Sequence, residues 1–443
     1  LRHMPAGRTD GAPPAARAYG ATVSSQTSAA PPHRGGSPAL VYLLAALTMI
    51  GPFTVDAIFP GFPQIQADFA VGPVSTQQIL SVYLLSFAVM SLLHGPLSDA
   101  LGRRPVIVGG LLLYAATAVF CALAPSMGWL LVARALQGVV AGAGMIVART
   151  IVRDLYAGDA AQRAMSRMSM VFGVAPAIAP VVGGWLLGWS TWRAVFWFLA
   201  AFAIALLVAV LVALPETHPA GKRIPLAAGS LVTALVDSVR MAGVRRLLAV
   251  SSLNFAGLFT YISAAPAIVV DHLGLGPGDF GYLFVPTVAM MILGSWLSGR
   301  FAGRIGGPRF LTIGFAAAVL GGVAQLALLA LGLESLPWVL VGPMLTGLGI
   351  SLVFPIVTLV LLEERPRHRG TVSSLQSFAN TLLNAVVAGV LVPMVSADLL
   401  TLTALALGFS VSGWLVWARH HRVAHPQIVV PPDPASYEPT DRL

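Results

Sequence analysis

Two ionisable side chains stand in apolar stretches that otherwise carry none. Asp56 lies within LTMIGPFTVDAIFPGF and Arg134 within LLVARALQGVV. A charge at the middle of a bilayer costs at least about 2.5 kcal/mol on insertion scales, so such a residue marks a pathway for ions, protons or a substrate by default. A structural buried pair is the plainer reading, and Asp56 has a further one, reach to the outer interface. Uncharged polar groups also punctuate apolar runs: Tyr83, Ser86, Gln137, Asn254, Tyr261, Gln376, Asn380 and Asn384. The last three recur every four residues and so form one stripe on a helix. A cavity face is expected there, against the alternative of helix-to-helix hydrogen bonds. Tyr83 and Tyr261 offer an apolar face with a polar handle to a lipophilic ligand.

The elements that position these groups follow from composition. Of 443 residues, 57% are hydrophobic and 10% charged, with a mean hydropathy of +0.83. A soluble chain carries roughly 25% charged residues. So apolar a chain cannot cover a water-facing surface, and lipid must be its solvent. Twelve segments are long enough to cross a bilayer, which takes about 20 residues: 40–62, 77–98, 105–125, 128–149, 164–188, 193–213, 247–270, 279–300, 308–332, 336–362, 371–396 and 398–418. Their length and continuity indicate helices, since barrel strands alternate over about ten residues. The expected fold is an all-α membrane protein of two six-helix halves, 39–213 and 247–418. A polar linker, 214–246, joins them; its 226–246 part is expected to form a short interfacial helix. Segment 1–38 lacks apolar periodicity and reads as a disordered cytoplasmic tail, and the Pro-rich, polar 419–443 as a second cytoplasmic tail. No apolar core follows closely on the first positive charges, so the start does not read as a signal peptide.

Charge orients the helices. All but two of the 26 lysines and arginines fall on one side of this arrangement, the exceptions being Arg134 and Arg193. Asp68, Asp271, Asp279, Glu334 and Asp398 fall on the other. By the positive-inside rule both termini are expected in the cytosol. The net charge of +9 is therefore a topology signal, and no nucleic-acid partner is expected.

One basic turn has unusual chemistry. Gly95–Pro105 reads GPLSDALGRRP between the second and third spans, and Gly299–Arg309, GRFAGRIGGPR, falls six spans later with Gly306 in register with Gly102. Six spans, a linker and six more with a matching turn indicate an internal duplication. Gly95 and Gly102 are expected to allow close helix approach and a sharp reversal. Asp99 ends the second span, where Arg103, Arg104 or a helix N-terminus can hold it. Such a cluster can latch the halves together in one state and release them in another. A simple tight turn would require neither the aspartate nor both glycines.

GPLSDALGRRP resembles the loop signature of the major facilitator superfamily, and the resemblance covers about residues 40–418. With VDAIFPGFPQI, LPET at Leu214–Thr217 and RGTVSSLQSF at Arg369–Phe378, the chain resembles the Bcr/CflA drug-efflux subfamily. The family loop usually has a basic residue after its aspartate; here it is Ala100, and Gly303 takes the aspartate's place in the second copy. A charge lock on the later half is accordingly expected to be weaker. The resemblance implies that Asp56 is a protonatable acid and Arg134 a fixed cation that tunes it. Gly173–Gly184, GVAPAIAPVVGG, resembles the antiporter signature, with Ala179 where the pattern has glycine. Gly173, Pro176, Pro180, Gly183 and Gly184 are then expected to bend the helix and pack it closely on span eight, ordinary small-residue packing being the alternative.

The implied function is proton-coupled efflux of small, mostly apolar antibacterial compounds, phenicol- or bicyclomycin-like, across a bacterial inner membrane by alternating access. The alternative is proton-coupled transport of a natural metabolite, such as a nucleoside or amino acid, because a fold does not fix its substrate. The expected partners are the bilayer, protons and a small-molecule substrate, for a chain acting as a monomer. An enzyme is not expected. Of nine histidines only His94 approaches a span end, the single cysteine Cys121 sits in an apolar run, and no metal-ligand cluster appears. No phosphate-cradling GxxxxGK[ST] loop is present either, so neither ATP nor another cofactor is called for.

Overall fold

The structure is a computed structural model that describes residues 38–156, 158–223, 228–305, 307–365 and 368–424. Most of both tails, part of the linker and Gly306 of the repeated turn lie outside the described residues. Among the described residues all regular structure is helical, and eleven helices are long and apolar enough to cross a membrane.

The first set comprises α1 (Pro38–Asp56), α3 (Pro73–Leu101), α4 (Arg103–Ala122), α5 (Met127–Leu155), α6 (Gly158–Trp189) and α7 (Arg193–Ala213), with the short α2 (Phe62–Phe69) after α1. Helix α8 (Ala228–Arg240) occupies the linker. The second set comprises α9 (Ala242–Ser263), α10 (Gly281–Ile305), α11 (Gly307–Ala330), α12 (Val341–Glu363), α13 (Arg369–Val386) continued by α14 (Val392–Val395), and α15 (Leu399–Ala424). At 1.5 Å per residue, the 29 residues of α3 reach about 43 Å, well beyond a hydrocarbon core of about 30 Å.

Two helices depart from the sequence expectation for local reasons. Helix α1 stops at Asp56, where a 3-10 turn at Phe59–Gly61 begins. Pro60 supplies no N–H and disfavours helix in the residue before it. Helix α9 stands at the seventh expected span, 247–270, and is the one not among these eleven; its middle carries Ser251, Ser252, Asn254 and Thr260. All four are buried, against neighbours α12, α13 and α15, so they face protein and not lipid.

Within the first set α1 packs on α5, α6 and α7, α3 on α5, and α4 on α5 and α7; within the second, α12 packs on α10 and α11, and α15 on α9 and α11. The sets meet through α3 against α13 and α6 against α10. Their junction is closed at the end away from the arginines. There Gln77 Nε2 donates to the Ser263 carbonyl at 2.8 Å, Gln78 Nε2 to Gly389 at 2.9 Å and Ser81 Oγ to Ala385 at 2.9 Å. Phe59 stacks on Phe284 at 6.4 Å between centroids. One apolar core runs through both sets at that end. At the arginine-rich end the second set has a separate core around Leu247, Phe315, Val357 and Trp417. The sets are thus joined at one end and parted at the other.

Candidate functional site

Asp56 ends α1 and is 3% exposed, and among the described residues nothing hydrogen-bonds or ion-pairs with its carboxyl. Arg134, on α5, is wholly buried near it, but the two do not form an ion pair. Arg134 Nη2 donates to the Thr54 carbonyl at 3.2 Å, Nε to the Ile79 carbonyl at 3.1 Å and Nη1 to Gln137 Oε1 at 2.7 Å. Its guanidinium carbon lies 4.5 Å from the centroid of the Tyr83 ring. Thr54 in turn bonds the Tyr114 hydroxyl. Carbonyls, an amide and a ring face therefore compensate the cation, each partner being uncharged. Arg134 thereby holds the last turn of α1, two residues before Asp56.

The turn after α3 is built on Gly102, whose φ of +103° is a conformation that glycine alone adopts readily. A Cβ there would also lie 2.7 Å from Glu216 Oε2 and 3.0 Å from Arg223 Nη2, so those two side-chain ends would have to move aside. Gly95 differs, since a Cβ there would meet nothing within 4 Å; it faces open space and makes no close helix approach in this conformation. Asp99 is held by Arg103 one turn on. Arg103 also reaches Asp154 at the end of α5, with Nε 3.1 Å from Oδ2, and donates to Ser98 Oγ at 2.7 Å. Arg104 does not join them; its Nη2 donates to the Leu211 carbonyl at 2.7 Å. Glu216, from the LPET stretch, accepts from the backbone nitrogens of Arg103 at 3.1 Å and Arg104 at 3.2 Å. Among the described residues every one of these bonds stays within the first six helices and the start of the linker.

Sequence reasoning passed over Asp154 and Glu216. The signal for Asp154 was available: it is an acid directly after Arg153 at the basic end of a span. Glu216 gave no local signal, because the amides it caps are more than a hundred residues earlier in the chain.

Within the antiporter-like stretch, Pro176 and Pro180 sit inside a continuous α6. Gly183 and Gly184 make two different approaches. A Cβ on Gly183 would collide with the Ala57 carbonyl, and one on Gly184 with the Pro277 carbonyl just before α10. One glycine thus seats the end of α1, inside its own set, and the other seats the second set. Gly173 has nothing within 4 Å of where its Cβ would be. Close packing on span eight therefore rests on Gly184 and on Gly281, whose Cβ would lie 3.4 Å from Val181.

The gap at the arginine-rich end is a cavity of about 480 Å³ between α3, α5 and α13, with Leu231 of α8 at its edge. None of the seven residues expected to face a substrate cavity lines it. Tyr83, Gln137, Asn254, Tyr261, Gln376, Asn380 and Asn384 are all buried inside the bundle. Gln376 Nε2 donates to Ser251 Oγ at 2.9 Å and Thr358 Oγ1 at 2.8 Å, and Asn380 Oδ1 accepts from Ser252 at 2.9 Å. At these two positions the stripe binds helix to helix. The face of α13 that lines the cavity carries Gly370, Thr371, Ser373, Ser374 and Ser377 instead.

A family model described as Major Facilitator Superfamily matches residues 42–388. The chain is 30% identical over 351 residues to an uncharacterized MFS-type transporter, YdgK, of Bacillus subtilis (strain 168), covering 79% of this chain and 87% of that one. It is 28% identical over 361 residues to a bicyclomycin resistance protein homolog of Haemophilus influenzae, covering 80% and 89%. In fold it is similar to a bacterial homolog of the human lysosomal transporter Spinster, solved inward-facing and unoccupied. That match has a TM-score of 0.62 at 18% identity and covers 87% of this chain and 97% of the other.

Proposed function

Because the chain belongs to the Major Facilitator Superfamily, we propose that it exports small, largely apolar antibacterial compounds in exchange for protons, by alternating access across the bacterial inner membrane. The likeness to a bicyclomycin resistance protein homolog supports an antibacterial cargo. The crowding of basic residues at one end supports placing that end in the cytosol. The cavity then opens inward, and the hydrogen bonds from Gln77, Gln78 and Ser81 hold the outer side shut.

The observation that carries the coupling is the position of Asp56. Its carboxyl is buried with no described partner, so an ionised form in this conformation is an uncompensated charge. Its neighbour Ala57 packs on Gly183 of α6, next to the glycine that seats the second set. Gain or loss of the proton therefore acts on the contact that closes the outer side. A proton taken up from outside favours the closed form seen here, and its release to the cytosol frees the carrier to bind compound and turn outward. Arg134 sets the geometry of the same turn through the Thr54 carbonyl.

Everted membrane vesicles, whose cytosolic face meets the medium, test the reading. An imposed gradient, acid inside, should drive accumulation of a phenicol or of bicyclomycin, and a protonophore should abolish it. Accumulation indifferent to the gradient, or none with either compound, overturns the proposal.

A further inference from the structure

Arg149 and Arg153 stand one turn apart on α5 and both line the cavity at the arginine-rich end. Among the described residues neither has a hydrogen bond or an acid within ion-pair distance. The partner described for Arg149 is the Phe172 ring, 6.0 Å from the guanidinium carbon. Two acids line the same cavity, Asp99 and Asp154, but Arg103 binds both of them. Across the cavity lie the first turns of α13. That helix begins with no side-chain cap and no acid in its first turn, and the Thr371, Ser374 and Ser377 hydroxyls have no described partner. Guanidinium groups, hydroxyls and the positive end of a helix thus converge on one space, and every uncommitted group there can donate, the guanidinium groups doing nothing else. Leu92, Ile146 and Leu231 supply an apolar wall beside them.

We propose that this cavity binds a small organic oxyanion, an apolar body bearing one carboxylate or comparably acidic oxygen group, with Arg149 and Arg153 as its counter-charges. The planar fork of a guanidinium matches two oxygens of such a group, and the leucine and isoleucine wall takes the body. The inference rests on the export reading and narrows its cargo: acidic amphiphiles enter this chain more readily than their uncharged counterparts of the same shape. Anionic lipid headgroups share the chemistry, but they bring two long chains that a 480 Å³ space does not hold, so the assignment is to the small molecule.

Full-length protein purified in uncharged detergent provides the test, with benzoate and its neutral isostere benzamide as probes and calorimetric titration as the readout. Benzoate is expected to bind about tenfold more tightly than benzamide, the size of effect that one charge-assisted hydrogen-bonded pair contributes. Arg149→Gln should remove that discrimination and Arg149→Lys should keep most of it, while an unchanged unfolding temperature in both shows that the fold is intact. Should Arg149→Gln fail to fold, Arg153→Gln provides the same comparison. Equal affinity for acid and amide in the unchanged protein overturns the proposal, as does full discrimination in the folded glutamine variants. So does displacement of benzoate by phosphatidylglycerol but not by phosphatidylcholine, which would assign the site to a lipid headgroup. Gradient-driven export of a neutral phenicol by the unchanged protein keeps the two readings separate. Export without acid discrimination removes the oxyanion site alone, and absence of export removes the efflux reading.

Discussion

Glu216 places a carboxylate oxygen 3.1 Å from the backbone nitrogen of Arg103, and its other oxygen 3.2 Å from that of Arg104. The third residue after the first set of helices thus caps a helix that began over a hundred residues earlier. Helix starts leave such amides unsatisfied, and an acid there also meets the positive end of the helix dipole. Glu216→Ala should lower stability by about 1 kcal/mol, the usual cost of a lost cap. Glu216→Gln, which keeps an acceptor oxygen, should lose less. Unfolding in detergent checks both, and an unshifted midpoint for the alanine variant means that the cap contributes nothing.

The two glycines of the turn should separate cleanly. Gly102→Ala forces a side chain into a positive φ and against Glu216, and should destabilise by about 1–2 kcal/mol. Gly95→Ala adds a methyl group to open space and should leave unfolding within about 0.5 kcal/mol of the unchanged protein. If Gly95→Ala nonetheless slows transport, the close approach it was expected to serve belongs to the other conformation. Paired unfolding and export measurements distinguish these outcomes.

Gly184 seats the second set of helices against the first through the Pro277 carbonyl, so Gly184→Ala should wedge the outer side open. A cysteine introduced at Ser263 should become reactive to an impermeant thiol reagent from outside in that variant and stay protected otherwise. Cys121 is buried and contributes no background. Gly183→Ala pushes on Ala57 within the first set, and should disturb proton coupling more than outer closure.

Asp56→Asn replaces the proposed proton carrier by a neutral group of nearly the same shape. Substrate should still bind, while substrate-induced proton release from the purified protein should vanish, along with gradient-driven export. Binding should also lose part of its pH dependence, because a group that titrates differently in the two states has been removed. Proton release equal to that of the unchanged protein would show that Asp56 is a structural or substrate-contacting residue.

Much of this molecule is legible one residue at a time. Lipid as solvent acts on each side chain separately, so the apolar spans, the helical class, the basic end and the misplaced charges Asp56 and Arg134 all stand out in the linear chain. Gly102 is legible for a similar reason, since a sharp turn makes a local demand on φ. Partnership is not local. Nothing in LPET announces that Glu216 returns to cap α4, and nothing in the fourth span says that Arg134 binds carbonyls and Gln137 while Asp56 has no hydrogen-bond or ion-pair partner among the described residues. On α13, Gln376 and Ser377 are about 100° apart around one helix, and both faces are polar. Only the packing of α9 and α12 on one face assigned Gln376 to structure and left Ser377 on the cavity. A hydrogen bond needs two atoms within about 3 Å, and for residues this far apart in the chain the assembled fold alone brings them there.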